Sequence, residues 1–216
     1  MIRVLLVDDD ALVRAGLRMI LGSADDIVVV GEADDGSRAV AAVAEHHPDV
    51  VLMDLRMPEL DGISATLRLR AASRPPHIVV LTTFHISDEV IRALRAGADG
   101  FLLKDSPPEQ IVQAVRRVAA GDAMLSPAVT KSVLEYVGDA DAAARLQNAQ
   151  QRLADLTERE REVAVAVASG ASNAEIGAQL YMSAATVKAH VSRLLVKLGA
   201  ANRVQIAIVV HDAGLA

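Results

Sequence analysis

Apolar residues follow two different rhythms along the chain. Up to about residue 120, continuous runs of Val, Ile and Leu alternate with stretches in which apolar residues recur every three or four positions. Apolar runs bounded by turn formers predict buried strands, and the longer spacing predicts amphipathic helices. The strands are Ile2–Val7, Ile27–Ala33, Val50–Asp54, His77–Thr82 and Gly100–Leu103; helices are expected at about 11–22, 36–46, 62–72, 87–96 and 108–120. Five strand–helix repeats with short connections imply an α/β unit, a doubly wound five-stranded parallel sheet with helices on both faces. Strands that are apolar throughout fit a sheet covered on both sides.

The rhythm then changes. Ser126-Pro127 opens a short helix pattern that runs to about Val137. Residues 138–152 are small, polar and weakly patterned, which reads as a linker, although their Ala and Gln equally support a partly helical connector. From Leu153 the pattern is helical only. Thr157 and Glu160 form a plausible capping box, and Gly170 ends that helix. Ser172 or Asn173 caps the next, Ser183 caps a third that runs to Leu198, and Asn202 starts the last. The expected division is 1–122, a linker with a short helix at 123–152, and an all-α four-helix unit at 153–216.

Composition narrows the classes. A chain of 216 residues suits one or two domains, and 52% apolar residues are enough for real cores. With no Cys, a disulfide framework, a thiolate nucleophile and a Cys-based zinc site are excluded. No apolar run approaches membrane-spanning length, and no basic segment with a cleavage site opens the chain. A soluble, cytoplasmic protein is expected. The net charge of −6 is uneven: residues 1–124 hold 19 acidic and 13 basic side chains, whereas residues 125–216 hold 9 of each. An acidic first half suits a cation. The tail from Ile176 onward, with Lys188, Arg193, Lys197 and Arg203 against Asp212 alone, suits a polyanion.

The buried run Val50–Asp54 ends in a carboxylate, at the strand edge where open α/β sheets bind ligands. Taken by itself, Asp54 is equally well a strand-end turn residue. Its companions change that. The first strand ends Val7-Asp8-Asp9-Asp10, and in a doubly wound sheet it neighbours the third, so Asp8, Asp9 and Asp54 meet at one edge. Clustered carboxylates repel unless a cation neutralises them, and hard oxygen ligands favour Mg²⁺. Thr82 ends the fourth strand and Lys104 follows the fifth. Three acids, a hydroxyl and a lysine on separate strand ends suit phosphoryl chemistry, with a carboxylate as nucleophile and fixed charges stabilising the transferred group.

These residues carry a resemblance. Val7-Asp8-Asp9, Asp54 with Met57-Pro58 and Asp61-Gly62, Thr82, and Phe101-Leu102-Leu103-Lys104 resemble the receiver domain of bacterial two-component response regulators. The resemblance implies a flavodoxin-like fold and a phosphoryl group accepted on Asp54 from a sensor histidine kinase. It implies Mg²⁺ held by Asp8, Asp9, Asp54 and the backbone carbonyl of Arg56. Lys104 would pair with the phosphoryl oxygens, and Thr82 and Phe101 would form a switch pair reporting phosphorylation to the far face. Asp10 departs from the commoner neutral residue or His at its position.

In the tail, Val187, Val191, Leu194 and Leu198 make an inner helical stripe, with Lys188, Ala189, Ser192 and Arg193 opposite and Thr186 and Lys197 at the margins. A helix presenting small and basic groups can enter a DNA major groove; it is also the pattern of an ordinary surface helix. Leu156-Thr157-Glu158-Arg159-Glu160, Gly170 to Ile176, and Ser183 to Val191 followed by Lys197-Leu198-Gly199 are similar to the LuxR-type helix-turn-helix. With the receiver, the resemblance indicates the NarL/FixJ subfamily. It implies that Lys188, Ala189 and Ser192 face bases of double-stranded DNA, while Thr186, His190 and Arg193 contact the backbone. Lys197 is counted with this DNA-binding set. Gly177 stands where Ala is usual, at a helix-propensity cost of up to about 1 kcal/mol, and allows a close helix approach.

With about four positive charges by the reading face, tight binding is expected to need a homodimer, phosphorylated or DNA-bound, on a two-part operator. The last helix is apolar nearly all round. Val204, Ala207, Ile208 and His211 on one side are expected to pair two subunits, unless the first-half domain covers them. Rival enzymes fit poorly. An aspartyl phosphatase wants a second carboxylate where Arg56 stands, no G-x-G-x-x-G follows the first strand, and no nucleophile elbow or H-x-x-x-H pair occurs. The chain therefore reads as a DNA-binding regulator whose only chemistry is phosphotransfer and autodephosphorylation on Asp54. A regulator gated by a small ligand through the same tail is the remaining alternative.

Overall fold

Each expected strand forms where its apolar run lies: β1 (Ile2–Val7), β2 (Ile27–Ala33), β3 (Val50–Asp54), β4 (His77–Thr82) and β5 (Gly100–Leu103). They pair in parallel in the order β2-β1-β3-β4-β5, the flavodoxin-like order whose reversal falls between β1 and β3. The computed structural model describes residues 1–72, 74–83, 88–122 and 142–215. The chain divides into two compact units, Met1–Met124 and Leu125–Ala216.

In the first unit, helices α1 (Ala11–Gly22), α2 (Gly36–His46), α3 (Gly62–Arg70), α4 (Asp88–Ala96) and α5 (Pro108–Ala119) separate or follow the strands. Successive strand residues point to opposite faces, and two cores follow. Val4, Leu6, Val50 and Leu52 pack with Leu17 and Leu21 of α1 and with Ile111, Val115 and Val118 of α5. Leu5, Val7, Val51 and Met53 pack with Ala39 and Val43 of α2 and with Ala65 and Leu69 of α3. Both faces of the sheet are therefore covered, which is why the strands carry no polar alternation. Helix α3 stops at Arg70, two residues earlier than expected, because the Ala71 and Ala72 amides turn back onto the Arg68 and Leu69 carbonyls.

The second unit is all helical among the described residues: α6 (Ala142–Ala154), α7 (Glu158–Ala168), α8 (Asn173–Leu180), α9 (Ala184–Lys197) and α10 (Arg203–Asp212). Thr157, Ser172, Ser183 and Asn202 are the N-caps, and Thr157 and Ser172 each close a full capping box, with Glu160 and Glu175. The expected helix from Ser126-Pro127 to Val137 and the start of the expected linker lie outside the described residues. From Ala142 the linker is helix, the partly helical connector that its Ala and Gln allowed, and it precedes the four helices that follow Thr157. Ala149 and Leu153 of α6 belong to the same core as Val163, Leu194, Ile206 and Val210. No helix among the described residues is long and apolar enough to cross a membrane.

Candidate functional site

At the carboxyl edge of the sheet, β1 and β3 end side by side, with Val7 in register with Met53 and Asp54 with Leu81 of β4. Asp8 is fully buried and Asp54 nearly so, while Asp9 is exposed. One carboxylate oxygen from each of the three lies within 4.8 Å of the others. Lys104 reaches in from the loop after β5, with Nζ 2.7 Å from Asp8 Oδ2 and 3.2 Å from Asp54 Oδ1. Its backbone is fixed by a 2.8 Å bond from its amide to the Thr82 carbonyl. Burial pushes the Asp54 carboxyl above the usual carboxylate range; Lys104 opposes this and the like charge of Asp8 adds to it. Burial pulls Lys104 down, but its contacts with Asp8 and Asp54 prevail and hold it above its ordinary value.

The loop that carries the Asp54 strand into α3 is tightly built. The Gly62 amide bonds the Leu55 carbonyl at 3.0 Å, and a Cβ on Gly62 would lie 2.0 Å from the Asp54 carbonyl oxygen. Only glycine lets the chain fold back so closely. Asp61 caps α3 by accepting from the Ser64 amide at 2.8 Å. The buried Asp35 carboxylate accepts from the Ser37, Glu59 and Leu60 amides at 2.7, 3.0 and 3.1 Å. Burial opposes ionisation of Asp35, but those amide bonds prevail and hold its pKa at about 2. Asp35 thus pins the Asp54 loop to the start of α2.

Asp10 acts as the N-cap of α1, accepting from the Leu12 amide at 2.8 Å. The Arg56 side chain leaves the pocket to pair with Glu89 at 3.1 Å. Thr82 is buried and Phe101 half-buried; the pairings Val80 with Phe101 and Thr82 with Leu103 put both side chains on the same face of the sheet. A cleft of about 1040 Å³ opens at the opposite edge of the sheet, beside Pro48, Asp49 and His77, and shares no residue with the acidic pocket. Three hard carboxylates around a lysine, one of them open to water, suit a divalent cation such as Mg²⁺.

In the second unit the wheel of α9 is as expected. Val187, Val191, Leu194 and Leu198 are buried; Thr186, Lys188, Ala189, Ser192 and Arg193 are exposed, and His190 is half-buried. Helix α8 approaches the turn before α9 so closely that a Cβ on Gly177 would stand 2.6 Å from the Met182 carbonyl oxygen. That turn puts Tyr181 in the left-handed region at φ 55°, with its ring 97% exposed.

Residues 4–116 match the response regulator receiver domain, and residues 154–210 match the bacterial regulatory proteins of the luxR family. The chain belongs to the response regulators of two-component systems. It is 40% identical over 214 residues to the transcriptional regulatory protein LiaR of Bacillus subtilis, covering 98% of this chain and 97% of that one. It is 36% identical over 209 residues to the nitrate/nitrite response regulator NarL of Escherichia coli, covering 97% and 94%. Among solved structures, the response regulator ChrA of a heme-sensing two-component system is similar over 100% of this chain and 98% of that one, at 37% identity and a TM-score of 0.54.

The receiver pocket therefore assembles Asp8, Asp9, Asp54 and Lys104 as expected, with Thr82 close by through the Lys104 backbone. In the helix-turn-helix, Lys197 is exposed but not isolated: its Nζ lies 2.7 Å from the Glu160 carboxylate. That contact, followed by the Thr157 amide bond, holds the Glu160 pKa at about 2. Nor is the outer side of α10 an open apolar face. Val204 and Ala207 are buried, and Ile208 and His211 are half-buried. Both α6 and α7 pack against α10, and Ala207 shares a core with Ala149 and Leu153 of α6.

Sequence reasoning missed Asp35 and Arg152, and it counted Arg203 with the basic groups of the tail. Arg152 donates to the Leu198 carbonyl. Arg203 is buried and binds the Ala171 carbonyl and Asn173. Of the three, only Asp35-Gly36 carried a local signal, a helix cap directly after a strand.

Proposed function

We propose that this response regulator takes a phosphoryl group on Asp54 from a histidine kinase phosphohistidine and thereby controls its occupancy of DNA. The observation that carries the reading is Lys104 Nζ set between Asp8 and Asp54 in a buried carboxylate cluster. An Asp54 carboxylate oxygen attacks phosphorus, the P–N bond breaks, and the imidazole leaves with the electron pair. Attack of water on the acyl phosphate later returns the carboxylate and inorganic phosphate. Lys104 stands where it can pair with the transferred oxygens, and Thr82 offers a hydroxyl on the neighbouring strand end. Asp8, Asp9, Asp54 and the Arg56 carbonyl would hold Mg²⁺, which supplies charge neutralisation for phosphoryl transfer. Asp10, engaged as a helix cap, leaves the role of ligand to its neighbours.

Phosphorylation is then relayed through Thr82 and Phe101, which share a face of the sheet. Thr186, Lys188, Ala189, His190, Ser192 and Arg193 read double-stranded DNA in the major groove. Two subunits occupy a two-part site in the cytoplasm, where kinase output and chromosome meet. Pairing through Val204, Ala207, Ile208 and His211 requires those side chains to gain exposure. Operator binding by wild type and Asp54→Asn, each with and without acetyl phosphate, tests the proposal; the stoichiometry on the duplex tests the dimer. Wild type with phosphodonor is expected to bind at least about tenfold more tightly than the other three. Equal binding in all four overturns phosphorylation control.

A further inference from the structure

The carboxyl end of α9 is held from two sides. From α7, the Glu160 carboxylate meets Lys197 Nζ at 2.7 Å. Glu160 is 6% exposed and also accepts from the Thr157 amide at 2.9 Å, so the charge facing Lys197 is fixed on the first turn of α7. From α6, the Arg152 guanidinium donates to the carbonyl of Leu198, the C-cap residue of α9. The last carbonyls of a helix have no partner within it and carry the negative end of its dipole, so a cation there is favourably placed. Ala149 and Leu153 bury the same helix, α6, in the core that Leu194 and Leu198 share.

Lys197 gives one of its three ammonium donors to Glu160. Drawing the ammonium toward a phosphate would weaken that pair and leave the buried carboxylate less well compensated. Lys188, Arg193 and Lys197 are all exposed along α9, but the Lys197 ammonium is engaged by the Glu160 carboxylate at 2.7 Å. We infer that Lys197 and Arg152 are positioning residues, which set the attitude of α9 through Glu160 and the Leu198 carbonyl and touch neither base nor phosphate. The inference rests on α9 being the recognition helix. It gives α6 a role in DNA reading although α6 lies outside the helix-turn-helix proper: a recognition helix clamped at its carboxyl end discriminates sites only while α6 stays docked.

Salt dependence separates the two roles, because each phosphate contact contributes about 0.9 to the slope of log affinity on log salt. The full-length protein is titrated with a duplex selected in vitro on the wild type and with a scrambled duplex of equal length. Lys197→Met and Arg152→Met are expected to weaken the selected duplex about tenfold and the scrambled one less than twofold, with the slope unchanged. Lys197→Arg should retain wild-type binding. Glu160→Gln/Lys197→Met should be no weaker than Lys197→Met, since a shared clamp breaks once; Lys197→Met decides the matter if the double variant does not fold. Arg193→Ala is the comparison, expected to lower the slope by about one. If Lys197→Met weakens both duplexes alike and lowers the slope by about one, Lys197 is a phosphate anchor and the inference fails. If Arg193→Ala and Lys188→Ala leave slope and affinity untouched, the reading of α9 has failed instead.

Discussion

The acidic pocket and helix α9, proposed as the reading helix, use charge in opposite ways. In the pocket, every charged group but Asp9 is withdrawn from water, and Lys104 already bridges Asp8 and Asp54. On α9, Lys188, Ser192 and Arg193 stand in solvent. Phosphoryl transfer needs charges preorganised in a low dielectric, whereas a duplex supplies its own charge and needs donors free to meet it. Lys197 lies on the same helix and is exposed too, but like Lys104 it is paired with a buried carboxylate. Side-chain type and helical phase therefore do not by themselves tell a contact residue from a strut.

The largest break in this comparison should come from Gly62→Ala. A Cβ there would meet the Asp54 carbonyl oxygen at 2.0 Å, so the loop beneath Asp54 must move. The receiver is expected to lose about 3 kcal/mol or more and its phosphoryl uptake, with the melting of the second unit unchanged. Calorimetry on the full chain reads both transitions; an unshifted receiver transition would show that the loop yields easily.

Lys104→Met comes next. It removes the cation from between two buried carboxylates, and loss of one preorganised stabilising group costs roughly 100-fold in rate. Uptake from acetyl phosphate should fall by about that factor while Asp54→Asn abolishes it. Uptake within threefold of wild type would mean that Lys104 only balances charge in the resting pocket.

The two regions also differ in how far their sequences revealed them. All five strand bounds were legible because burial on both faces leaves each strand an uninterrupted apolar run. The caps at Thr157, Ser172, Ser183 and Asn202 were legible because capping is local. Asp8, Asp9, Asp54 and Lys104 were legible because the topology brings strand ends together. What escaped depends on tertiary contact. Helix α6 carries Leu146, Ala149 and Leu153 at helical spacing, but among Ala, Asn and Gln that also suit a linker, and only its packing shows that it is core. Asp35 bonds amides 24 and 25 residues away, and Glu160 meets a lysine 37 residues away. No window of sequence holds both partners.

Acid sharpens the contrast within the second unit. Glu160 ionises at about 2 in the fold, against an ordinary value of 4.5. A carboxylate whose folded-state pKa lies below its unfolded one stabilises the fold fully above the unfolded value, and that contribution is lost as pH falls through the folded one. Between about pH 4.5 and pH 2 the second unit should therefore lose stability that Glu160→Gln lacks at every pH. Because the Lys197 side chain is 40% exposed and partly screened, the difference at pH 7 is about 1–2 kcal/mol. Urea melts of the two proteins at pH 7 and pH 3 check it; parallel pH profiles would remove Glu160 from the acid response.

The smallest effect, and the one opposite in sign, belongs to Tyr181. It closes α8 in the left-handed region at φ 55° with a ring 97% exposed, so neither burial nor packing offsets its backbone strain. Holding a non-glycine residue there costs about 1–2 kcal/mol, and glycine returns about 0.5–1 kcal/mol of that through its freer unfolded chain. Tyr181→Gly should therefore stabilise the second unit by about 0.5 kcal/mol, a rise of a few degrees in Tm. Because the substitution touches neither Lys188, Arg193 nor the Glu160–Lys197 clamp, DNA affinity should stay within twofold of wild type. A gain in stability accompanied by a tenfold loss of affinity would mean that the strained ring is itself part of the DNA contact, and the reading face would then extend back across the turn.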